Sequence, residues 1–579
     1  MTEIPQNVNR TRAEFVAGFC IALVAVLGYA NALQNGLTLD DGGIIPKHAV
    51  ILHSEPLWNA FTTPYWPSGA GQYRPLVIAS FGIESWIWGQ NPLGYHAINL
   101  LWHALASVLV YAVGRRWLSY AGSLIAGLVF ALHPVHVEAV ANIVGRAELM
   151  AGAGVLAMLL LHERRSKWAI VAFAVALFSK EHALVAIALA AGWDFATRAT
   201  QAPNERGRRP PYAQGARALY AGYLVVAAAW VGAIAMVFRD APLVFVDPLW
   251  LSTTTAQRWL TMLGVVPVWV SLWFFPAKLS SDYSPRVTLP WPDNSTLALI
   301  GALIVVVAIA AAFEGRKRAV IVTIAVAWIA ISIAPIANVL VPTGIIAAER
   351  TLYLSSVGAA LLFGYAGQRL GQWRPAAATA FALVVCGAFA ARTWTRTPVW
   401  ESNKVLFTTT VQEHPEASRT HVHMARVFSR TGQLGLAVDA YKRAILMFDR
   451  DAISWSEAIY AADQLGNTAL ADSLIAEART RFPRDYLVDL AHANHAVVLR
   501  RYEEGLRYAK VAAEAEPDSA APRFLIGAAW AGLGQPDSAR AWLDRVARSH
   551  PLGPKADSLV QTLGRELPGQ GVMPDTSRF

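Results

Sequence analysis

The chain has 579 residues, of which 55% are hydrophobic and only 15% charged, with a formal net charge of +9. A soluble domain carries about 25% charged residues, so the composition excludes a wholly soluble protein. The positive balance does not argue for nucleic acid, because much of it sits in short loops between apolar runs, where membrane topology accounts for it. The two cysteines, Cys20 and Cys386, lie in apolar runs far apart in sequence. That pattern suggests neither a disulfide nor a metal ligand nor a nucleophile.

Arg10 and Arg12 precede the first apolar run, residues 15–33, which carries no charge. At about 1.5 Å per residue the run reaches roughly 29 Å, enough for a bilayer core of about 30 Å. It lacks a small-residue cleavage site, so it predicts a retained span with residues 1–14 in the cytoplasm. LTLDDGG follows and sets Asp40 and Asp41 side by side at the membrane edge. Paired carboxylates there repel each other and are costly to desolvate, which points to chemistry. A solvated pair of loop acids is the alternative.

Trp58, Trp66, Trp86 and Trp88 read as interfacial anchors more than as sugar platforms. QYRPL carries Arg74. His96, Asn99 and His103 stand at i, i+3 and i+7, a polar stripe that must face the interior of a helix bundle. HPVHVEA (133–139) holds His133, His136 and Glu138 at a spacing loosely like that of metal ligands. Pro134 and the single cluster make a metal site there weak; the paired acids Asp40 and Asp41 are the alternative place for a divalent metal, and the sequence requires no metal or cofactor. VGRAEL (Arg146, Glu148), SKE (Lys180, Glu181), PAKLSSDY (Lys278, Asp282) and AAERTLYL (Glu349, Arg350) complete a set of polar clusters between apolar runs.

The basic breaks are Arg115–Arg116, 162–167, 194–217, 315–318, and Arg369 with Arg374. All are expected in the cytoplasm. The breaks 35–93, 133–147, 179–181, 238–294 and 341–351, and everything after about 391, then face outward. Parity predicts eleven spans if 259–275 is re-entrant or lies along the interface. The runs 168–178 and 183–192 are short, so they are tilted or extended by partly polar residues. The polar clusters therefore share one face. A lipid phosphate needs cations there, and Arg can grip it with two hydrogen bonds. Ion pairs that orient loops are the alternative for any single cluster; several on one face favour a site.

Residues 400–551 repeat with a period of 34. Pro415, Pro483, Pro517 and Pro551 fall in register with Asp449, and Gly432, Gly466 and Gly534 with Arg500. Ala437, Ala471, Gly505 and Ala539 form a third column; Ala444, Ala478, Ala512 and Val546 form a fourth. This is the tetratricopeptide signature. About four repeats follow a half-unit at 400–415, and such arrays offer a concave groove to peptides or partner proteins. The expected fold is all-α: a polytopic transmembrane domain over 15–391, an extracytoplasmic repeat solenoid over 392–561, and a frayed tail over 562–579.

Together these residues resemble the transmembrane and tetratricopeptide-repeat-containing (TMTC-like) family of O-mannosyltransferases, within the glycosyltransferase C (GT-C) superfamily. The matching pieces run in order: NGLTLDD (35–41), YRPL (73–76), YHAINLLWH (95–103), ALHPVHVEAVANIVGRAELMA (131–151), SKE (179–181), FFPAKLSSDYSP (274–285) and AERTLYLSSVG (348–358). The repeats come after them, where the family has them. The resemblance implies a membrane enzyme that takes a sugar from a polyprenyl-phosphate carrier, dolichyl-phosphate mannose in the eukaryotic members, and delivers it to a Ser or Thr hydroxyl of a protein. By motif position Asp40 matches the superfamily's catalytic acid in the first loop, and Asp41 its companion. The array is shorter than in the animal proteins, and the high Ala and Arg content suggests a bacterial chain. The expected setting is an inner membrane with site and repeats on the periplasmic side, or an endoplasmic-reticulum membrane with lumenal repeats in a eukaryote.

On this resemblance Asp40 is the general base on the acceptor hydroxyl, and the carrier phosphate rests on some of Arg74, Arg146, Lys180 and Arg350. Asp41, His103, His136, Glu148, Glu181, Asp282, Glu349 and Tyr353 orient or bind substrate. A single in-line displacement inverts the anomeric centre. The repeat groove recruits the acceptor protein and raises its local concentration. Three rivals stand beside this reading: a non-catalytic membrane-anchored repeat scaffold, a transporter of lipid-linked sugar, and a transferase acting on lipid or glycan.

Overall fold

The computed structural model describes residues 6–67, 71–199, 212–239, 246–517, 519–546 and 552–563. The first five residues, the arginine-rich stretch 200–211, residues 240–245 of the 238–294 break, Pro551 and the tail from 564 lie outside the described residues. Among the described residues every regular element is helical. The chain divides into two compact units. One comprises Met1–Ser284 and Thr288–Glu413, the other Pro285–Val287 and His414–Phe579.

The first unit is a bundle of apolar helices. Among the described residues six are long and apolar enough to cross a bilayer: Thr11–Gly28, Pro92–Gly114, Ile143–Glu163, Gly215–Val237, Ser295–Arg316 and Pro375–Trp400. Tyr120–Leu132 and Pro134–Ala141 make a seventh if counted as one span bent by 43°. Pro75–Trp88, Trp168–Ser179 and Val320–Ile333 are apolar but shorter, as the short run at 168–178 predicts. The segment 259–275 falls in helix Thr255–Phe274, which carries Pro267 inside it and is not among the six. The chain is a multi-pass membrane protein.

The first helix stops at Gly28 rather than continuing to residue 33, and Ala30–Gln34 form a short 3-10 turn. Asn91 caps Pro92–Gly114 by accepting from the Leu93 N–H, and Ser119 caps Tyr120–Leu132 by accepting from the Gly122 N–H. The bend after Leu132 has a local cause. Pro134 cannot donate to a helix ladder and disfavours the helical region for the residue before it. His133 is accordingly extended, at φ −68° and ψ 122°.

The segment beyond the bend is the centre of the unit. Every residue from 129 to 156 is buried. The backbone turns back so tightly here that a Cβ on Gly145 would lie 2.2 Å from the Ala139 carbonyl oxygen, so only glycine fits. The stripe expected to face inward does so: His96, Asn99 and His103 are fully buried. Asn99 donates its amide to the carbonyls of Val140, Asn142 and Ile143, fastening its helix to this turn. Trp58, Trp86 and Trp88 are exposed on the surface, whereas Trp66 is half-buried and donates its indole N–H to Gln72.

The second unit stacks helix pairs. Ser418–Arg430 pairs with Leu434–Met447, Ala452–Gln464 with Thr468–Arg481, Tyr486–Val498 with Tyr502–Ala515, and Ala520–Gly532 with Pro536–Leu543. The small-residue columns are where the helices touch: Ala437, Ala471, Ala539, Ala444, Ala478 and Ala512 are all fully buried. A Cβ on Gly505 would meet a Val497 methyl at 2.7 Å. The glycine column closes the first helix of each pair in the left-handed conformation, with φ of 74° at Gly432, 75° at Gly466 and 71° at Gly534. Arg500 occupies the fourth such position and adopts φ 59° despite its side chain.

Candidate active site

The two adjacent acids part company. Leu39 holds φ 48°, a left-handed conformation that costs a non-glycine residue about 1–2 kcal/mol. Its N–H is pinned to the Asn403 side chain at 2.7 Å. Beyond this kink Asp41 turns inward and Asp40 stays at the rim. Asp41 is fully buried and accepts three backbone N–H bonds: from Val144 at 2.8 Å, and from Ile143 and Thr38 at 3.2 Å. Burial pushes its carboxyl up to about 7 against the downward pull of those donors. Asp41 therefore fastens the first loop to the buried turn. The Asp40 side chain keeps 32% of its surface exposed, and its Oδ2 lies 3.6 Å from Nη2 of Arg350.

Arg350 sits in the 3-10 turn Glu349–Leu352. Its Nη1 and its backbone N–H both donate to Glu138, at 2.6 and 2.8 Å. Burial works against its charge, but Glu138 and Asp40 outweigh burial and hold the guanidinium firmly protonated. The next cluster comes from the SKE turn, where Lys180 is extended and ends its helix. Lys180 pairs with Glu148, whose second oxygen lies 3.5 Å from Nε2 of His182. Burial pulls the Lys180 ammonium below its usual range, partly offset by Glu148. Arg74 grips Glu181 with two bonds, at 2.8 and 3.1 Å, and lies 5.0 Å from the Tyr65 ring centre. These pairs form one neighbourhood: the charge of Arg350 reaches Lys180, and that of Arg74 reaches Arg350.

Several residues expected in the site serve the scaffold instead. Arg146 is fully buried, with its N–H groups donated to Glu84, Asn99, Ser80 and the Tyr95 carbonyl. No donor remains for a phosphate, so its expected role is corrected to that of a buried anchor. His103 bonds Tyr353 and the Ala131 carbonyl. His136 bonds Ser356 and the Phe130 carbonyl. His133 takes the Trp273 carbonyl and the Val135 N–H. Both nitrogens of all three rings are engaged within the protein. The expectation that His103, His136 and Tyr353 touch substrate gives way to a buried hydrogen-bonded knot. Asp282 accepts from the Ser284 N–H and shapes its own turn. Glu349 accepts from the Ser280 N–H and the Tyr283 hydroxyl, which ties the 278–285 loop to the Arg350 turn. Burial pushes the Glu349 carboxyl up to about 8. Lys278 is exposed.

Sequence reasoning missed Glu138 as the partner of Arg350, and it missed Tyr65 and His182. His182 directly follows the SKE motif, which was a signal available in the sequence. Tyr65 carries none: it lies in a polar stretch whose fold the sequence does not announce.

No family model matches the chain. It is 26% identical over 444 residues to protein O-mannosyl-transferase F38B6.6 of Caenorhabditis elegans, covering 72% of this chain and 60% of the relative. It is 25% identical over 445 residues to human protein O-mannosyl-transferase TMTC3, covering 69% and 47%. A shorter stretch of 185 residues is 37% identical to Drosophila melanogaster protein O-mannosyl-transferase Tmtc1, covering 29% of this chain and 21% of that one. The chain spans about half the length of the curated relatives it matches. Among solved structures, the Cut9–Hcn1 tetramer aligns with 84% of this chain and 87% of that one at 13% identity. The TM-score is 0.27, too slight to carry an argument.

Proposed function

We propose that this chain is a membrane glycosyltransferase. It moves a sugar, mannose by the names of its relatives, from a polyprenyl-phosphate carrier to Ser or Thr hydroxyls of extracytoplasmic proteins, with inversion. The observation that carries this is the division of labour between the adjacent acids. Asp41 is consumed by three backbone donors, while Asp40 stands partly open beside the guanidinium of Arg350.

In this reading Asp40 takes the proton of the acceptor hydroxyl. The hydroxyl oxygen bonds to the anomeric carbon as the bond from that carbon to the phosphate oxygen breaks. The electron pair leaves with the phosphate, and Arg350, Lys180 and Arg74 meet the charge that develops there. Arg350 touches base and leaving group together, which aligns attack with departure. The reading needs no cofactor. The repeat unit brings the acceptor protein, and the site faces the periplasm or lumen.

A membrane-anchored scaffold is the second reading, favoured by the fact that Arg74, Lys180 and Arg350 all have carboxylate partners. Incubation with labelled polyprenyl-phosphate mannose and a Ser/Thr peptide library separates the two. The enzyme reading expects labelled peptide. No transfer from this donor or from a panel of other carrier-linked sugars gives the scaffold the field.

A further inference from the structure

Among the buried polar atoms that lack a hydrogen-bond partner, four belong to three residues near Arg74. The Tyr65 hydroxyl and Nδ1 of His182 are buried with no hydrogen-bond partner in the protein, and Nε2 of His182 and Oε2 of Glu148, 3.5 Å apart, form no hydrogen bond to each other or to any other group. Their residues are 1%, 6% and 1% exposed. Native proteins leave few such atoms, because each costs about 1–3 kcal/mol. Arg74 is the common neighbour. Its guanidinium lies 5.0 Å from the Tyr65 ring centre, and its charge reaches both His182 and Glu148.

The chemistry of these atoms says what they fit. A carrier phosphate offers only acceptors, and its match is the Arg and Lys set. Oε2 of Glu148 is itself an acceptor and repels a phosphate. A sugar hydroxyl both donates and accepts. It satisfies a carboxylate oxygen, a phenol and a neutral imidazole equally well. Burial pulls the His182 ring below its usual range although Glu148 pulls it back, so it presents one donor and one acceptor.

We infer that Tyr65, His182 and Glu148 form the wall that reads the hydroxyls of the donor's hexose, separate from the cations that hold its phosphate. The inference rests on the lipid-linked-sugar reading above and assigns the sugar-recognising part of that site. Tyr65 and His182 are then specificity residues that contact the sugar without taking part in proton transfer.

The test measures binding of two lipids to the purified full chain: polyprenyl-phosphate mannose, and the same polyprenyl phosphate without sugar. Tyr65→Phe and His182→Gln are each expected to weaken the sugar lipid about three- to tenfold, the worth of one neutral hydrogen bond. Binding of the bare phosphate lipid should stay within about twofold. Arg350→Gln should weaken both lipids. Equal loss of both lipids in Tyr65→Phe and His182→Gln, or loss of neither, overturns the sugar wall while leaving the transferase reading intact. A wild-type chain that binds neither lipid overturns both. Should a variant unfold, donors lacking single hydroxyls on the wild-type chain supply the same readout: some are expected to bind three- to tenfold more weakly, and indifference to every deletion overturns the inference.

Discussion

The buried turn at 131–151 and the rim around Asp40 carry the same kinds of residue and use them in opposite ways. In the turn, Arg146 donates to four groups and the histidines bond backbone and hydroxyls on both sides. At the rim, Asp40 has one cation at 3.6 Å and a third of its side chain open. A motif can therefore be distinctive because it builds the floor of a site or because it does the chemistry. Residue identity does not tell these apart; the number of partners does.

That comparison breaks if the turn proves expendable. Arg146→Ala leaves Glu84 buried without its cation, and removing one partner of such a pair costs about 3–5 kcal/mol. The expected result is a chain that unfolds at markedly lower temperature or fails to accumulate. A variant of wild-type stability would mean that Arg146 is no anchor.

Asp41→Asn sharpens the contrast within the acid pair. The amide keeps one acceptor oxygen and replaces the other with an NH2, so either the Val144 N–H or those of Thr38 and Ile143 lose their acceptor, at about 1–3 kcal/mol. Thermal unfolding should detect that loss, with turnover per folded molecule falling far less than in Asp40→Asn.

Glu349 supplies a pH signature of the scaffold. Its folded value of about 8 lies above its ordinary 4.5, so the folded state binds more protons. Its contribution is full below about 4.5 and is lost as pH rises through about 8. The membrane unit should lose stability over that window, and Glu349→Gln should flatten the slope. An unchanged slope in the variant would contradict the assignment.

The smallest effect lies in the repeats. Arg500 holds φ 59° where the neighbouring pairs have glycine. Arg500→Gly should stabilise the repeat unit by about 0.5–1 kcal/mol, seen as a higher midpoint in chemical denaturation.

The repeat unit was nearly transparent in the sequence, because a 34-residue period writes each packing contact several times. Four columns of small residues, glycines and prolines located the helix pairs, and the odd residue in the glycine column adopted the glycine conformation. The membrane unit was legible in outline only. Hydropathy finds spans, but it did not show that the first helix stops at Gly28 or that 131–151 folds back inside the bundle. The site was legible by motif and not by partner. Asp40 and Arg350, from motifs far apart in sequence, lie 3.6 Å apart, and the charge of Arg350 reaches Lys180. Glu138, 212 residues from Arg350, and Tyr65 are brought in only by tertiary folding, which leaves no mark in local sequence.

In the proposed mechanism Asp40, and not its neighbour, is the base. The most direct measurement is the turnover of Asp40→Asn on polyprenyl-phosphate mannose and a Ser/Thr peptide, normalised to the folded fraction. General-base help is worth about 10²–10⁴ in rate. The expected result is a loss of at least that order with an unchanged unfolding midpoint. Transfer that survives in Asp40→Asn would contradict the assignment.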